Sequence, residues 1–313
     1  MRAPSPLRYP GGKTALTSRV AELLRCNGLD RGDYAEPYAG GAGLALSLLY
    51  AGHVAELHLN DIDPAIASLW RCILARGDEL IGRLQEIELS VDEWQRQRQL
   101  YLSGDVSDEM RLALATIYLN RTNRSGIIKS GGVIGGKKQD GPYKMDCRFN
   151  AEGLADRIRR ISKHADRITF TSHDALHFMT LMDASLPKRS FLYIDPPYYA
   201  KGADLYTSFY GNEDHRDLAN TILNLRRPWL LTYDNVDPIR KLYAHRRQFE
   251  IELQYSAQTK RRSTELAVVS RYLRVPESWE ATRVHKGGKA SSAPTDTSVV
   301  QATAGPAAVV SPT

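Results

Sequence analysis

Apolar and polar positions alternate along much of the chain with two different periods. Ala55-Glu-Leu-His-Leu-Asn60 repeats every second residue, as a strand with two unlike faces does. The helical period follows over Pro64 to Leu74, with Asp63 placed to cap it and Pro64 at its first position. The exchange recurs downstream. Arg167 to Phe170 predicts a strand and Ala175 to Met182 a helix. Ser190-Phe-Leu-Tyr-Ile194 predicts a buried strand, Glu213 to Leu225 a helix, and Trp229 to Tyr233 another strand. Phe249 to Tyr255 and Leu266 to Leu273 predict two β segments joined by a basic turn. Strands alternating with helices specify an α/β fold with a mostly parallel sheet. The closing pair is expected to add an antiparallel hairpin at one edge.

One long stretch breaks the alternation. Leu80 to Asn120 is largely helical in pattern, and Arg121 to Arg148 is rich in glycine and basic residues. Residues 64–150 are therefore expected to form a smaller, mostly helical domain inserted into a main domain of residues 1–63 and 151–275. Insertion is tolerated where both ends lie at one surface. From about Pro276 the chain turns to Gly, Ser, Ala, Thr, Pro and Val without period, so residues 276–313 are expected to be a disordered tail.

Composition adds bounds. With 313 residues, 42% hydrophobic and 25% charged, a core of normal size is available and a wholly disordered chain is excluded. No apolar run reaches the roughly 18 residues of a transmembrane helix, and no membrane partner is expected. Met1 to Pro10 carries three prolines and no apolar region, unlike a secretory signal. Cys26, Cys72 and Cys147 are too widely spaced for a zinc knuckle, so reduced thiols in a cytoplasmic protein, without a metal, are expected. The net charge is +6, and its distribution matters more than its size. Arg121, Arg124, Lys129, Lys137, Lys138, Lys144 and Arg148 face only Asp140 and Asp146 within their stretch, a local excess suited to phosphate. A solvated basic loop is the plainer alternative.

Four short motifs carry candidate chemistry. Ala35-Glu-Pro-Tyr-Ala-Gly-Gly-Ala-Gly43 stands between the first strand and an Ala/Leu-rich helix, where a glycine turn lets a ligand approach the backbone. It is no dinucleotide fingerprint, because Leu46 occupies the place of the third glycine. Glu36 would repel a pyrophosphate and suits a cationic amino-acid group; a tight turn with a capping role is the alternative. In Asn60-Asp61-Ile-Asp63, Asp61 lies 20 residues past Gly41, where an acid hydrogen-bonds the ribose of an adenosine in Rossmann-like sheets. Asp63 fits helix capping better. Arg8-Tyr-Pro-Gly-Gly-Lys-Thr14 is not a P-loop, since Leu7 stands where the first glycine is required, yet its turn offers N–H groups and an ammonium to a carboxylate.

The fourth motif, Tyr193-Ile-Asp-Pro-Pro-Tyr-Tyr199, is the most specific. Its strand delivers Asp195 to the carboxyl end of the sheet, where α/β ligands bind. Pro196 and Pro197 stiffen the turn and bring no N–H, so the loop presents acceptors. A carboxylate, a carbonyl and a ring face suit an amino group on a flat heteroaromatic base: Asp195 and the Pro196 carbonyl accept its two N–H bonds and Tyr198 stacks. A rigid loop that only caps the next helix is the structural alternative.

Together these motifs, over about Pro6 to Arg274, resemble the adenine-specific DNA methyltransferases of the bacterial DNA adenine methylase type. The motif order is the same, and Asn120-Arg-Thr-Asn-Arg-Ser-Gly126 through Arg148-Phe-Asn150 is similar to that family's DNA-reading region. The resemblance implies a Rossmann-like S-adenosyl-L-methionine-dependent methyltransferase sheet with an inserted, mostly helical target-recognition domain. It implies donor contacts from Tyr9, Lys13, Glu36, Tyr38, Gly40, Gly41, Asp61, Asp174 and Asp195, and a catalytic loop of Asp195, Pro196, Pro197 and Tyr198. It implies double-stranded DNA held by Arg121, Asn123, Arg124, Lys129, Lys137 and Lys138, with the enzyme a monomer or weak dimer. Two departures stand out: Tyr9-Pro10 replaces the family's Trp-Ala, and Asp63 stands where Asn is usual. The implied reaction moves a methyl from the donor to the exocyclic N6 amine of an adenine flipped out of the duplex. A different planar amine (cytosine N4, RNA or a protein side chain) is the nearest rival, and a catalytically silent DNA-binding module the rival of another class.

Overall fold

Alternate residues of each central strand serve two different apolar clusters. Tyr34, Phe191, Tyr193, Leu230, Ala267 and Val269 point into one, and Ala35, Leu192, Ile194, Leu231, Leu266 and Val268 into the other. This period of two makes a sheet buried on both faces. The computed structural model describes residues 3–8, 12–199, 211–254, 262–280 and 282–285. Among them the strands are β1 (Gly32–Glu36), β2 (Val54–Asn60), β3 (Ile168–Thr171), β4 (Ser190–Ile194), β5 (Trp229–Asp234), β6 (Arg247–Gln254), β7 (Arg262–Val269) and β8 (Arg283–His285). They form one sheet in the order β3-β2-β1-β4-β5-β7-β6-β8. The first five positions are parallel, with Ala35 paired to Leu192 and Leu192 to Trp229. β7 runs antiparallel between β5 and β6. The expected closing hairpin is therefore present, and its second strand is the one that docks on the parallel sheet.

The first cluster is covered by α1 (Thr17–Cys26), α2 (Gly43–Tyr50), α3 (Pro64–Ala75), α4 (Gly77–Glu86), α5 (Val91–Ser103), α6 (Glu109–Thr122) and α7 (Ala151–Ser162). The second is covered by α8 (Ala175–Ser185), α9 (Asn212–Asn224) and α10 (Asp237–Leu242). Asp63 caps α3 by accepting from the N–H groups of Ala65 and Ile66, with Pro64 first in the helix, as the sequence predicts. The helices of residues 64–122 share the first cluster through Trp70, Leu80, Leu84, Trp94, Ile117 and Tyr118. Their apolar faces continue the packing on one side of the sheet. No helix among the described residues is long and apolar enough to cross a membrane.

Regular structure continues past Pro276, where the composition already reads as tail. A short helix, α11 (Glu277–Glu280), follows Pro276, and β8 pairs with β6. Trp279 is buried, and its ring meets Phe249 edge-on at 5.7 Å. One tryptophan in a four-residue helix is too short a signal for periodicity to register. Residues from 286 onward lie outside the described residues.

Trp279→Ala is expected to destabilise the fold by about 3–5 kcal/mol, the usual loss for a buried tryptophan. Urea unfolding measures it, and an unchanged midpoint would return this segment to the tail.

Candidate active site

β1 and β4 are neighbours, but the chain leaves them toward opposite edges of the sheet. The crevice at the carboxyl ends of such a pair is where α/β folds bind ligands. Glu36 ends β1 and Asp195 follows β4, so the two carboxyls flank this crevice. Both Asp195 oxygens are engaged: Oδ1 accepts from the Thr232 hydroxyl at 2.8 Å and Oδ2 from Lys13 Nζ at 2.8 Å. The Tyr193 hydroxyl in turn meets Thr232 Oγ1 at 2.7 Å.

Lys13 joins three more groups. Its ammonium donates to the Tyr198 hydroxyl at 3.0 Å and lies 3.3 Å from Glu265 Oε1, while the Tyr198 hydroxyl donates to that same Glu265 oxygen. Burial works against the charge on Lys13, but Asp195 and Glu265 outweigh it and hold its pKa above the ordinary value. The next residue is held too, since the Tyr199 N–H donates to Asp234 Oδ1 at 3.0 Å. Pro196 and Pro197 are buried. The Asp-Pro-Pro-Tyr loop is thus gripped from β5, from β7 and from the short 3-10 helix Lys13–Leu16.

On the other side of the crevice Glu36 is buried and accepts from the Tyr34 hydroxyl at 2.8 Å. Burial pushes its pKa up to about 8, with Asp195 adding to the rise. The following turn needs its glycines: Gly40 has φ +46°, and a Cβ on Gly41 would stand 2.9 Å from Ser5 Oγ. Asp61 spans this turn by accepting from Gly40 N–H at 2.8 Å and from Asp63 N–H at 3.0 Å, and burial raises its pKa to about 6. Tyr38 is half-buried against the same cluster as Tyr198 and Tyr199. Asp174 caps α8 through Leu176 and His177 N–H and is exposed at the crevice edge of β3. Tyr9 lies outside the described residues.

Asn60 fixes these loops to one another. Its side-chain amide donates to the carbonyls of Pro37 and His173, and its oxygen accepts from the Thr171 hydroxyl and His173 N–H. Motif reading gave Asn60 no role of its own and passed over Thr232 and Glu265. Thr232 left a trace, as a polar residue inside an otherwise apolar strand run, whereas Glu265 stands just before the predicted strand Leu266 to Leu273.

The basic stretch divides. Arg124, Lys129, Lys137 and Lys138 are exposed. Arg121 and Asn123, expected at the DNA surface, are buried instead. Arg121 Nε donates to the Pro6 carbonyl at 2.8 Å. Asn123 accepts from Trp94 Nε1 at 2.7 Å and donates to the carbonyls of Ile127 and Ile128. Each is occupied in fixing the loop to its neighbours, which adjacency in sequence to exposed basic residues could not reveal.

A family model described as "D12 class N6 adenine-specific DNA methyltransferase" matches residues 9–257. The chain belongs to this family. Two type II methyltransferases are similar to it along much of their length. M.MjaIII of Methanocaldococcus jannaschii is 26% identical over 205 residues, covering 61% of this chain and 68% of that one. M.CviBI of Paramecium bursaria Chlorella virus NC1A is 24% identical over 251 residues, covering 80% and 90%. The crystal structure of TrmN from Thermus thermophilus covers 86% of this chain and 52% of its own at 12% identity and a TM-score of 0.40, too distant a likeness to bear on function. The reaction of this D12-class enzyme is methylation of adenine N6 in DNA.

Glu265→Gln removes one of the two negative charges beside Lys13. Methyl transfer is expected to slow about 10- to 100-fold, as the loss of a charge-assisted hydrogen bond worth about 1.5–3 kcal/mol implies. Single-turnover kinetics measure it, with the melting temperature as a check on folding. A wild-type rate would remove Glu265 from the site.

Proposed function

We propose that S-adenosyl-L-methionine is the methyl donor, lying along Glu36, Tyr38, the Gly40-Gly41 turn, Asp61 and Asp174, and that Asp195 receives an adenine flipped out of double-stranded DNA. The observation that carries this reading is the network of Asp195, Lys13, Tyr198 and Glu265 beside buried Glu36 in one crevice. Its charge suits the donor. One ammonium stands among Asp195, Glu265 and the titratable Glu36, a balance that favours a ligand with positive charge. When bound, the donor supplies an electrophilic methyl group on a sulfonium.

The residues of the chain do the rest. Adenine's exocyclic amine is a poor nucleophile because its lone pair is delocalised into the ring. Asp195 and the Pro196 carbonyl accept its two N–H bonds, favour a pyramidal nitrogen and localise that pair. Lys13 and Thr232 fix both oxygens of the carboxylate, so Asp195 orients and stabilises with little reorganisation. Pro197 keeps the turn rigid, and the tethered Tyr198 ring stacks on the base. Positioning supplies much of the acceleration. The nitrogen attacks the methyl carbon, the carbon–sulfur bond breaks, and the surplus proton on nitrogen passes to Asp195 or to water.

Residues 1–63 and 151–275 carry this chemistry in our reading, and 64–150 present the duplex with Arg124, Lys129, Lys137 and Lys138 on its phosphates. The enzyme works as a monomer or weak dimer where the DNA is, in the cytoplasm.

Asp195→Ala tests the centre of this reading. A loss of about 3 kcal/mol or more in transition-state stabilisation is expected, above 100-fold in rate, with the fold retained. Near-normal turnover would sink the assignment.

Glu36 gives a second test. With a pKa raised to about 8 it carries a proton at pH 7 in the free enzyme, and the donor's ammonium favours its ionised form. Donor binding should therefore release close to one proton at pH 7. Affinity should rise with pH up to about 8 and fall again above it, as the donor's own ammonium loses its proton. Calorimetry in buffers of different ionisation enthalpy counts the protons. Equal release by wild type and Glu36→Gln would refute the pairing of Glu36 with the donor.

A further inference from the structure

Two buried hydroxyls stand in line behind the carboxylate of Asp195. Tyr193 lies two residues before Asp195, and Thr232 two residues past Leu230, the register partner of Tyr193 on β5. The period of two turns Tyr193 and Thr232 to one face of the sheet, where diagonal neighbours on adjacent strands can touch. Asp195 continues that alternation just past the end of β4. The Tyr193 hydroxyl meets Thr232 Oγ1 at 2.7 Å, and Thr232 donates to Asp195 Oδ1 at 2.8 Å.

Counting hydrogens fixes the direction of this line. A threonine hydroxyl carries one hydrogen, and here it is spent on Asp195. Thr232 Oγ1 must then accept from its other neighbour, so Tyr193 is the donor. The second oxygen of Asp195 is held by Lys13, which can only donate. Hydroxyls in series polarise one another, so the Tyr193 hydrogen strengthens the bond that Thr232 makes to the carboxylate. The reverse order would take from Asp195 the hydrogen that fixes Oδ1. The surroundings of Tyr193 are an apolar cluster that a phenylalanine would fill as well. Packing therefore does not call for the hydroxyl.

We propose that Tyr193 is a positioning residue for methyl transfer, acting through Thr232 to hold Asp195 Oδ1 in one orientation as a hydrogen-bond acceptor. The proposal rests on the reading that Asp195 receives the adenine amine. Tyr193 is 3% exposed, so it works through Thr232 and not on a bound base. A carboxylate pinned at both oxygens keeps its remaining lone pairs aimed in fixed directions, and an acceptor that must meet one N–H of a flat base needs that alignment. The hydroxyl line thus reaches the reacting amine from inside the sheet, whereas Lys13 reaches it from the N-terminal segment.

The kinetics of Tyr193→Phe at saturating donor and DNA test this role. The ring stays in its apolar surroundings and only the hydroxyl goes. Methyl transfer should slow about 3- to 10-fold, the worth of one hydrogen bond, while the affinities for donor and for DNA keep their wild-type values. A wild-type rate, or a loss of donor affinity in place of rate, overturns the proposal. Thr232→Val should slow transfer further than Tyr193→Phe does. Adding Tyr193→Phe to it should then change nothing more, because the path to Asp195 is already cut. Losses that multiply independently overturn the path through Thr232. Thr232→Ser restores the hydroxyl and should recover both the rate and its sensitivity to Tyr193→Phe; a serine variant as slow as the valine one overturns the proposal. Asp195→Ala separates this role from the reading beneath it. Near-normal turnover there overturns the reading itself, whereas a slow Asp195→Ala beside an unimpaired Tyr193→Phe overturns the positioning role alone.

Discussion

A buried ammonium between two carboxylates holds this site together. Lys13 is 6% exposed, and Asp195 and Glu265 both reach it. Without Lys13 the two acids would face one another with no counter-charge, and removing one partner from a buried ion pair commonly costs about 3–5 kcal/mol. The three residues come from the N-terminal segment, the end of β4 and the antiparallel strand β7. Forming the site therefore requires three distant parts of the chain to dock together. The N-terminal segment is placed by Asn120 and Arg121 at the end of α6, which bond the backbone of Arg8 and Pro6. A helix that reads in sequence as part of an insert thus locates the lysine that orients Asp195.

Glu36 shows how the same crevice limits its own charge. A third ionised carboxyl near Asp195 and Glu265 would go largely unpaired, and burial raises its pKa to about 8. A carboxyl whose folded pKa lies above its unfolded value stabilises the fold fully below the unfolded pKa, about 4.5, and that contribution is lost as pH rises through about 8. The free enzyme thus has its least favourable crevice at neutral to alkaline pH, where a cationic ligand relieves it most. Asp61, raised to about 6, loses its contribution over a lower window and is largely ionised at neutral pH.

The elements of the sheet were legible because strands and helices differ in period and α3 begins at Asp63 with its cap in sequence. The crevice was legible because its motifs are contiguous: Glu36 to Gly41, Asn60 to Asp63, Asp195 to Tyr198. What was not legible depends on contacts between distant segments. Glu265 meets Lys13 only because β7 docks on β5, and Arg121 turns inward only because Pro6 offers it a carbonyl. Trp279 escaped for a different reason, since one side chain can anchor a segment whose composition otherwise reads as tail.

The reversed direction of β7 explains why so late a strand reaches the site. The parallel strands bring their carboxyl ends to the crevice, and an antiparallel strand brings its amino end there. Glu265 consequently stands opposite Asp234, near the end of β5. Two acids directly opposite on neighbouring strands repel one another. The structure relieves this by giving each a partner from elsewhere: Asp234 accepts the Tyr199 N–H, and Glu265 accepts from Tyr198 and pairs with Lys13. Both tyrosines belong to the loop that carries Asp195. The β5–β7 junction is therefore better compensated when the Asp-Pro-Pro-Tyr loop is seated, and the junction together with Lys13 holds that loop. Sheet edge and Asp-Pro-Pro-Tyr loop stabilise one another, which fixes the Asp195 carboxylate in place.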